Sequence, residues 1–372
     1  MLSPSATIVV VLALMVVVAL SIRSVRADAT VTGTAGTGPD PGPATAHLQR
    51  PPPTAPVTLA FGGDVHFEKW LDQDVRDEPA GALRALEPLF ADADLAVVNL
   101  ETAVTERGTP AAKTHTFRGP RAGLTALAAA GVDVVSIANN HGMDFGRQGL
   151  ADTLEASASA GLAVVGGGRD ESEAYRPHVV DVHGRRVAVI GATQVLDTST
   201  ITGWTAGPDT PGLASAKPDA DGLPRLTAAI REAARDADTV AVMMHWGEER
   251  RQCPPPHQEE LAEQLRAAGA DIIVGGHAHR LAAGGYLHDA VVHYGLGNLV
   301  FYATDGPATA SGALAVTIAP DDTTTMTWRP ATLRGGIATP ITGDGAEAVA
   351  GWDALRSCTG LLARAQASTA GP

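Results

Sequence analysis

The chain has 372 residues, 45% of them hydrophobic, which is enough for one large domain or two ordinary ones with a real core. Acidic residues outnumber basic ones 41 to 27, a formal charge of -14, so a nucleic-acid backbone would be repelled over most of the surface and is excluded as a partner. The aromatic content of 4% and the abundance of Ala, Gly and Pro carry no functional meaning by themselves.

In chain order, the first feature is an apolar run from Ala6 to Ile22, followed by Arg23, Arg26 and the small-x-small triplet Ala27-Asp28-Ala29. It reads as an export signal cut near residue 29, or as an uncleaved membrane anchor, because the run approaches spanning length. Either way the expected location is extracytoplasmic, secreted or held at the membrane by residues 1–29. Residues 30–56 are rich in Thr, Gly, Pro and Ala without periodicity, the pattern of a flexible linker.

From Val57 onward, short apolar runs alternate with helix-like segments, which argues for an α/β fold. The runs VTLAFGG, ADLAVVN, VDVVSIAN, TVAVMMH and DIIVGGH read as buried strands. The segments ALRALEPLFADA, RAGLTALAAAG, GRQGLADTLEASASAG, LPRLTAAIREAARDA and PPHQEELAEQLRAAGA read as helices. Later, AVVHYGLGNLVFY, GALAVTIAP and TTTMTWRPATLR are strand-like with no helix between them, which implies a second, more antiparallel sheet. Two packed sheets with helices outside make a four-layer α/β/β/α sandwich, expected over residues 57–345. Residues 346–372 form a closing helix and tail, with Val349, Trp352, Leu355 and Leu362 at helical spacing.

Polar residues stand where the apolar runs stop: Asp64 and His66, Asn99 and Glu101, Asn140 and His141, His245, and His277 and His279. In an α/β sheet the strand carboxyl ends share one edge, so residues distant in sequence converge there. Imidazole mixed with carboxylate suits Mn, Fe or Zn more than Ca or Mg. Asp64, His66, Glu101, Asn140, His245, His277 and His279 are too many ligands for one tetrahedral ion. Two divalent ions bridged about 3.5–4 Å apart are the economical reading.

These residues fall in recognisable motifs. Asp64-x-His66, Asn140-His141, His245 and Gly276-His277-x-His279 resemble the calcineurin-like metallophosphoesterases. GGDVH, VVNLET, ANNHGMDFG, MHWGEE, IIVGGHAHR and YGLGNLVF resemble the CapA family of poly-γ-glutamate capsule biosynthesis proteins, over roughly residues 57 to 305. The resemblance implies a metallophosphatase-type sandwich with Asp64, His66 and His279 on one metal and Asn140, His245 and His277 on the other. It makes His141 the general acid or transition-state donor. Phosphoesterases of this fold carry Gly-Asp after the second strand, whereas this chain has Asn99-Leu-Glu101, so either Glu101 bridges or Asn99 serves as a neutral ligand.

Around this set, Asp144 either orients His141 or caps the helix starting near Gly146. His115 and Arg118 lie in a loop that could line a cleft, with Arg118 able to grip a carboxylate or phosphate. Trp246, Glu248 and Glu249 either wall the site or, for Trp246, pack. Asn298 reads as a turn residue or as a support for a ligand. Gly166-Gly167-Gly168 lacks the Lys-Ser/Thr of a phosphate loop and reads as a tight turn. His47, His178, His183, His257, His288 and His293 read as structural or surface residues. Cys253 and Cys358 could pair in an exported protein, but the expectation is two unpaired thiols, since sequence separation says nothing about Cβ geometry.

Three functions fit. The first is a binuclear hydrolase acting on an anionic envelope polymer or a phosphoester. The second is a scaffold or export partner of a membrane-bound polymer synthetase, and the third an exported phosphoesterase unrelated to capsules. A catalyst predicts turnover that His141→Ala abolishes; a scaffold predicts none.

Overall fold

A computed structural model describes residues 52–343 and 345–366; the signal or anchor reading of residues 1–29 and most of the linker lie outside the described residues. Among the described residues no helix is long and apolar enough to cross a membrane.

The apolar runs form the strands expected of them. Strands β1 (Val57–Val65), β2 (Leu95–Leu100), β3 (Val134–Ser136) and β4 (Ala163–Val165) lie parallel in one sheet. A second sheet takes β5 (His178–Val182), β6 (Arg185–Thr193), β7 (Thr239–His245), β8 (Ile272–Gly276), β9 (Gly284–Leu287) and β10 (Ala290–His293). The chain then returns to the first sheet with β11 (Asn298–Val300), β12 (Ala310–Ile318), β13 (Thr324–Arg334) and β14 (Ile337–Pro340). The first sheet has the order β11-β14-β13-β12-β1-β2-β3-β4, with β11 also paired to β1, and the second β9-β10-β8-β7-β6-β5.

The expectation that the late strands build a sheet of their own is corrected. AVVHYGLGNLVFY is divided between the sheets, because β10 pairs with β8 while β11 pairs with β1.

Side chains alternate across each strand, and this sorts the core into three layers. Ala60, Ala96, Val98 and Val135 face outward against helices α1 (Trp70–Asp77), α2 (Glu87–Phe90), α3 (Arg121–Ala129) and α4 (Gly146–Ser159). Leu59, Phe61, Val97 and Val134 face inward onto Val187, Val189, Met243 and Val274 of the second sheet. The far face of that sheet packs Ile190, Val242 and Ile273 against α5 (Gly222–Asp236) and α6 (Pro256–Ala268). Each fully buried Val, Leu, Ile, Phe or Met among them contributes on the order of 1.5–3 kcal/mol of transfer free energy. The result is the α/β/β/α sandwich.

Three local departures have physical causes. The segment 82–93 forms only a 3-10 turn, Arg84–Leu86, and the short α2, with Pro88 confined to the opening turn where its missing N–H is tolerated. The closing helix α7 (Gly345–Ala354) ends before Leu362, which exchanges backbone hydrogen bonds with Tyr286 of β9, both 2.8 Å. Cys253 and Cys358 are joined in a disulfide with Cα atoms 5.8 Å apart, contrary to the expected free thiols. The fold brings the tail back beside the loop after β7.

Candidate metal centre

Asp64 stands near the end of β1, in register with Asn99 of β2 on one side and Asn298 of β11 on the other. The other sheet offers His245 at the end of β7, in register with Gly276 at the end of β8. His277 and His279 follow immediately, both with positive φ, 94° and 50°. Non-glycine residues hold such backbone only where surrounding contacts enforce it. Here Asp64 Oδ2 accepts the His277 backbone N–H at 3.0 Å and lies 3.3 Å from His279 Nδ1, while Oδ1 accepts from Asn99 Nδ2 at 2.8 Å. The approach requires glycine at 276, where a Cβ would fall 2.1 Å from Asp64 Oδ1.

Two groups of side chains offer ligand atoms within 4.8 Å of one another: Glu101 with His245 and His277, and Asp64 with Glu101 and His279. Glu101 is common to both. Asn140 adjoins the first group, its Oδ1 2.8 Å from His245 Nε2, and Asn99 Nδ2 lies 3.1 Å from His245 Nδ1. Asn99 therefore spans Asp64 and His245. His66 is in neither group: its Nδ1 accepts the Glu68 N–H at 3.1 Å, and the ring sits among Phe117, Phe301 and Tyr302 at 4.8, 4.0 and 4.7 Å.

The donor set fits divalent cations. Among the described residues, both carboxylate oxygens of Glu101, Nε2 of His66 and Nδ1 of His277 are buried without a hydrogen-bond partner. Among the same residues Glu101 has ion-pair contacts at 3.4 Å to His245 Nε2 and 3.9 Å to His279 Nε2. A buried carboxylate left this way is costly, and a cation between these atoms would supply the missing partner. Burial, and then the charge of Asp64, push the Glu101 carboxyl up to about 8. Burial alone would also raise Asp64, but the hydrogen bond and charge of His279 prevail and hold it at about 2. Burial keeps His245 and His277 down at about 3, hence neutral and able to ligate. For His279 burial is outweighed by Glu101 and Asp64, which raise it to about 9.

His141 is set beside this cluster. Its Nδ1 lies 2.6 Å from Asp144 Oδ2, and its ring stacks on Phe117 at 3.9 Å. Asp144 also accepts from the Phe117 N–H at 2.6 Å and from Lys113 Nζ at 2.8 Å. Asp144 thus orients His141, and no side chain caps α4.

The remaining predicted residues divide. Asn298 is buried, its Oδ1 2.9 Å from His279 Nδ1 and its Nδ2 donating to the Ala308 carbonyl at 3.0 Å, so it holds His279 as well as a turn. Trp246 is fully buried and donates to the Tyr294 carbonyl at 2.9 Å, which is packing. Glu249 and His115 are exposed. Arg118 lies in a short strand with Gly119, its N–H donating to Glu68 Oε1 at 2.9 Å and its guanidinium 3.7 Å over Phe145. Sequence reasoning missed Asn139, whose amide donates to Asn99 Oδ1 at 3.0 Å and the Leu100 carbonyl at 2.8 Å while accepting the His141 N–H at 3.0 Å. The Asn-Asn doublet was its available signal. Lys113 was missed as well.

Polar residues gathered at the strand ends of two packed sheets, with helices outside, define the metallophosphatase-type α/β/β/α sandwich. The chain belongs to the bacterial capsule synthesis protein PGA_cap family, whose model matches residues 58–303. It is 32% identical over 249 residues to the PGA biosynthesis protein CapA of Bacillus subtilis (strain 168), covering 66% of this chain and 63% of that protein. It is 38% identical over 178 residues to the capsule biosynthesis protein CapA of Bacillus anthracis, covering 48% and 42%. A probable polyglutamine synthesis accessory protein of Mycobacterium tuberculosis is 32% identical over 210 residues, covering 56% and 55%. The matches thus span between 42% and 63% of these relatives' own lengths.

Proposed function

We propose that this protein serves poly-γ-glutamate capsule biosynthesis outside the cytoplasmic membrane, as a metal-dependent hydrolase acting on an amide or phosphoester of an anionic envelope polymer. The observation that carries this reading is the shared Glu101, which joins two ligand groups and leaves two buried carboxylate oxygens without partners. The names of the relatives support the capsule role. A membrane-bound polymer synthetase is the partner this role calls for.

In this reading Asp64, Glu101 and His279 hold one ion and Glu101, His245 and His277 the other, with His66 and Asn140 completing the set. Bound Mn, Fe or Zn supplies charge neutralisation at the attacked group and lowers the pKa of water. The protein's own residues do the rest. Asp144 accepts from His141 Nδ1–H, so Nε2 is left free to take up a second proton and give it to a leaving group or, so protonated, to hydrogen-bond a developing oxyanion. Asn99 and Asn298 fix Asp64, His245 and His279 from behind. With the chain at -14, a polyanion meets attraction chiefly where cations are concentrated, which is the centre itself.

The test is elemental analysis of the purified protein followed by turnover assays. We expect about two equivalents of Mn, Fe or Zn and hydrolysis of a γ-glutamyl or phosphodiester substrate that His141→Ala lowers at least about 100-fold without unfolding. Metal-loaded protein with no turnover, but with retained binding to a synthetase, would assign the scaffold role instead.

A further inference from the structure

The loop leading into Phe117 crosses the turn that carries Asn140 and His141, and Lys113 is its inward-facing charge. The Lys113 side chain is only 14% exposed. Its Nζ donates to the Asn140 carbonyl oxygen and to Asp144 Oδ1, the latter at 2.8 Å, and lies 3.4 Å from His141 Nδ1. The Trp204 ring stands 5.3 Å from the ammonium. Two further bonds lock the same loop onto the same turn: Ala111 N–H to the Asp144 carbonyl at 2.8 Å, and Phe117 N–H to Asp144 Oδ2.

A lysine beside a metal centre invites reading as a clamp for an anionic substrate. The geometry argues otherwise, because two of the three ammonium protons are committed to the Asn140 carbonyl and Asp144 inside the turn. A solvated surface cation is excluded by its burial. The 2.6 Å contact from His141 Nδ1 to Asp144, against 3.4 Å to Lys113, places the ring proton on Nδ1, donated to the carboxylate. Lys113 donates to the other oxygen of that carboxylate and to the Asn140 carbonyl, which holds both acceptors in place.

We infer that Lys113 is a positioning residue that fixes the Nδ1–H tautomer of His141 through Asp144 and, through the Asn140 carbonyl, seats the Asn140 amide against His245. The inference rests on the role given to His141 in the function proposed above. Without the ammonium, Asp144 loses one donor, the Asn140 carbonyl loses its partner, and the imidazole becomes free to exchange tautomers.

The experiment uses the full chain labelled with 15N-histidine, with His141→Gln identifying the His141 signals by subtraction. Wild type should show His141 as the Nδ1–H tautomer. Lys113→Met should lose or broaden that signature and shift the His245 signal, with the His277 signal and the circular dichroism unchanged, and Lys113→Arg should restore both. If Lys113→Met misfolds, Lys113→Gln makes the same test with a polar side chain. In the turnover assay kcat should fall about 10- to 100-fold in Lys113→Met with KM within about twofold. An unchanged tautomer in a folded Lys113→Met or Lys113→Gln, or an Nε2–H tautomer in wild type, overturns the inference. If no variant turns over any substrate, the hydrolase reading fails while the spectra still decide the role of Lys113.

Discussion

Asp64 illustrates how much a single side chain is asked to do: it accepts from Asn99 and from the His277 backbone, and pairs with His279, in a space with no room for a methyl group at Gly276. Gly276→Ala should therefore push Asp64 aside. We expect a loss of about 1–3 kcal/mol of stability from overpacking together with weakened metal retention, read by thermal unfolding and elemental analysis. A variant that keeps both at wild-type levels would show that the strand ends yield easily. The principal candidates were legible in the sequence because each is a polar residue closing an apolar run. Lys113 was not, since its role comes from a loop crossing a distant turn, which no local pattern encodes, and the Asn139 doublet gave no sign of its partners on another strand, Asn99 and Leu100. The two cysteines were opaque for the same reason: only the folded path of the tail sets their separation.

Among the elements, β10 carries a buried histidine that sits well away from the proposed chemistry. His293 packs with Trp328 of β13 and Trp352 of α7, at 5.2 and 5.8 Å, the two indoles themselves 5.5 Å apart, and accepts the Trp352 indole N–H at 3.0 Å. Burial lowers its pKa to about 3 from the ordinary 6.5. The unfolded chain therefore takes up a proton below 6.5 that the folded chain refuses. His293 imposes no penalty above that pH, and stability falls by at most about 1.4 kcal/mol per pH unit between 6.5 and 3. Urea midpoints measured from pH 7 to pH 4 should decline less steeply in His293→Phe, whose stability at pH 7 drops by about 1–3 kcal/mol because the Trp352 donor loses its acceptor. Parallel acid limbs in the two proteins would rule this out.

At the same scale, the strand runs and the helices α3 to α6 were readable from periodicity. Which sheet β10 and β11 join was not, because a register between distant strands leaves no mark on either one. The helix α1 was overlooked although Leu71 and Val75 stand one turn apart on its buried face.

Across the whole molecule, the disulfide from Cys253 to Cys358 closes a separation of 105 residues. It fastens the loop that follows His245 to the chain beyond α7. A loop of that size restrains the unfolded state, and removal of such a bond typically costs about 2–5 kcal/mol. The double variant Cys253→Ser/Cys358→Ser should unfold at correspondingly lower denaturant, and wild type treated with reductant should match it. Identical midpoints in all three would mean that the tail is held by packing alone. The overall architecture could be anticipated because alternating strands and helices admit few arrangements, whereas the seating of the tail depends on contacts made last.

The backbone N–H of Thr54 donates to the His183 carbonyl at the β5–β6 turn, just before β1 begins, and β1 then runs the length of the sheet to reach Asp64. Thr54 and the candidate ligand residues consequently occupy opposite ends of the sandwich. An attachment made at Thr54 would therefore stand a full strand length from the candidate ligand residues. A protein immobilised by its front end should take up metal as readily as one free in solution.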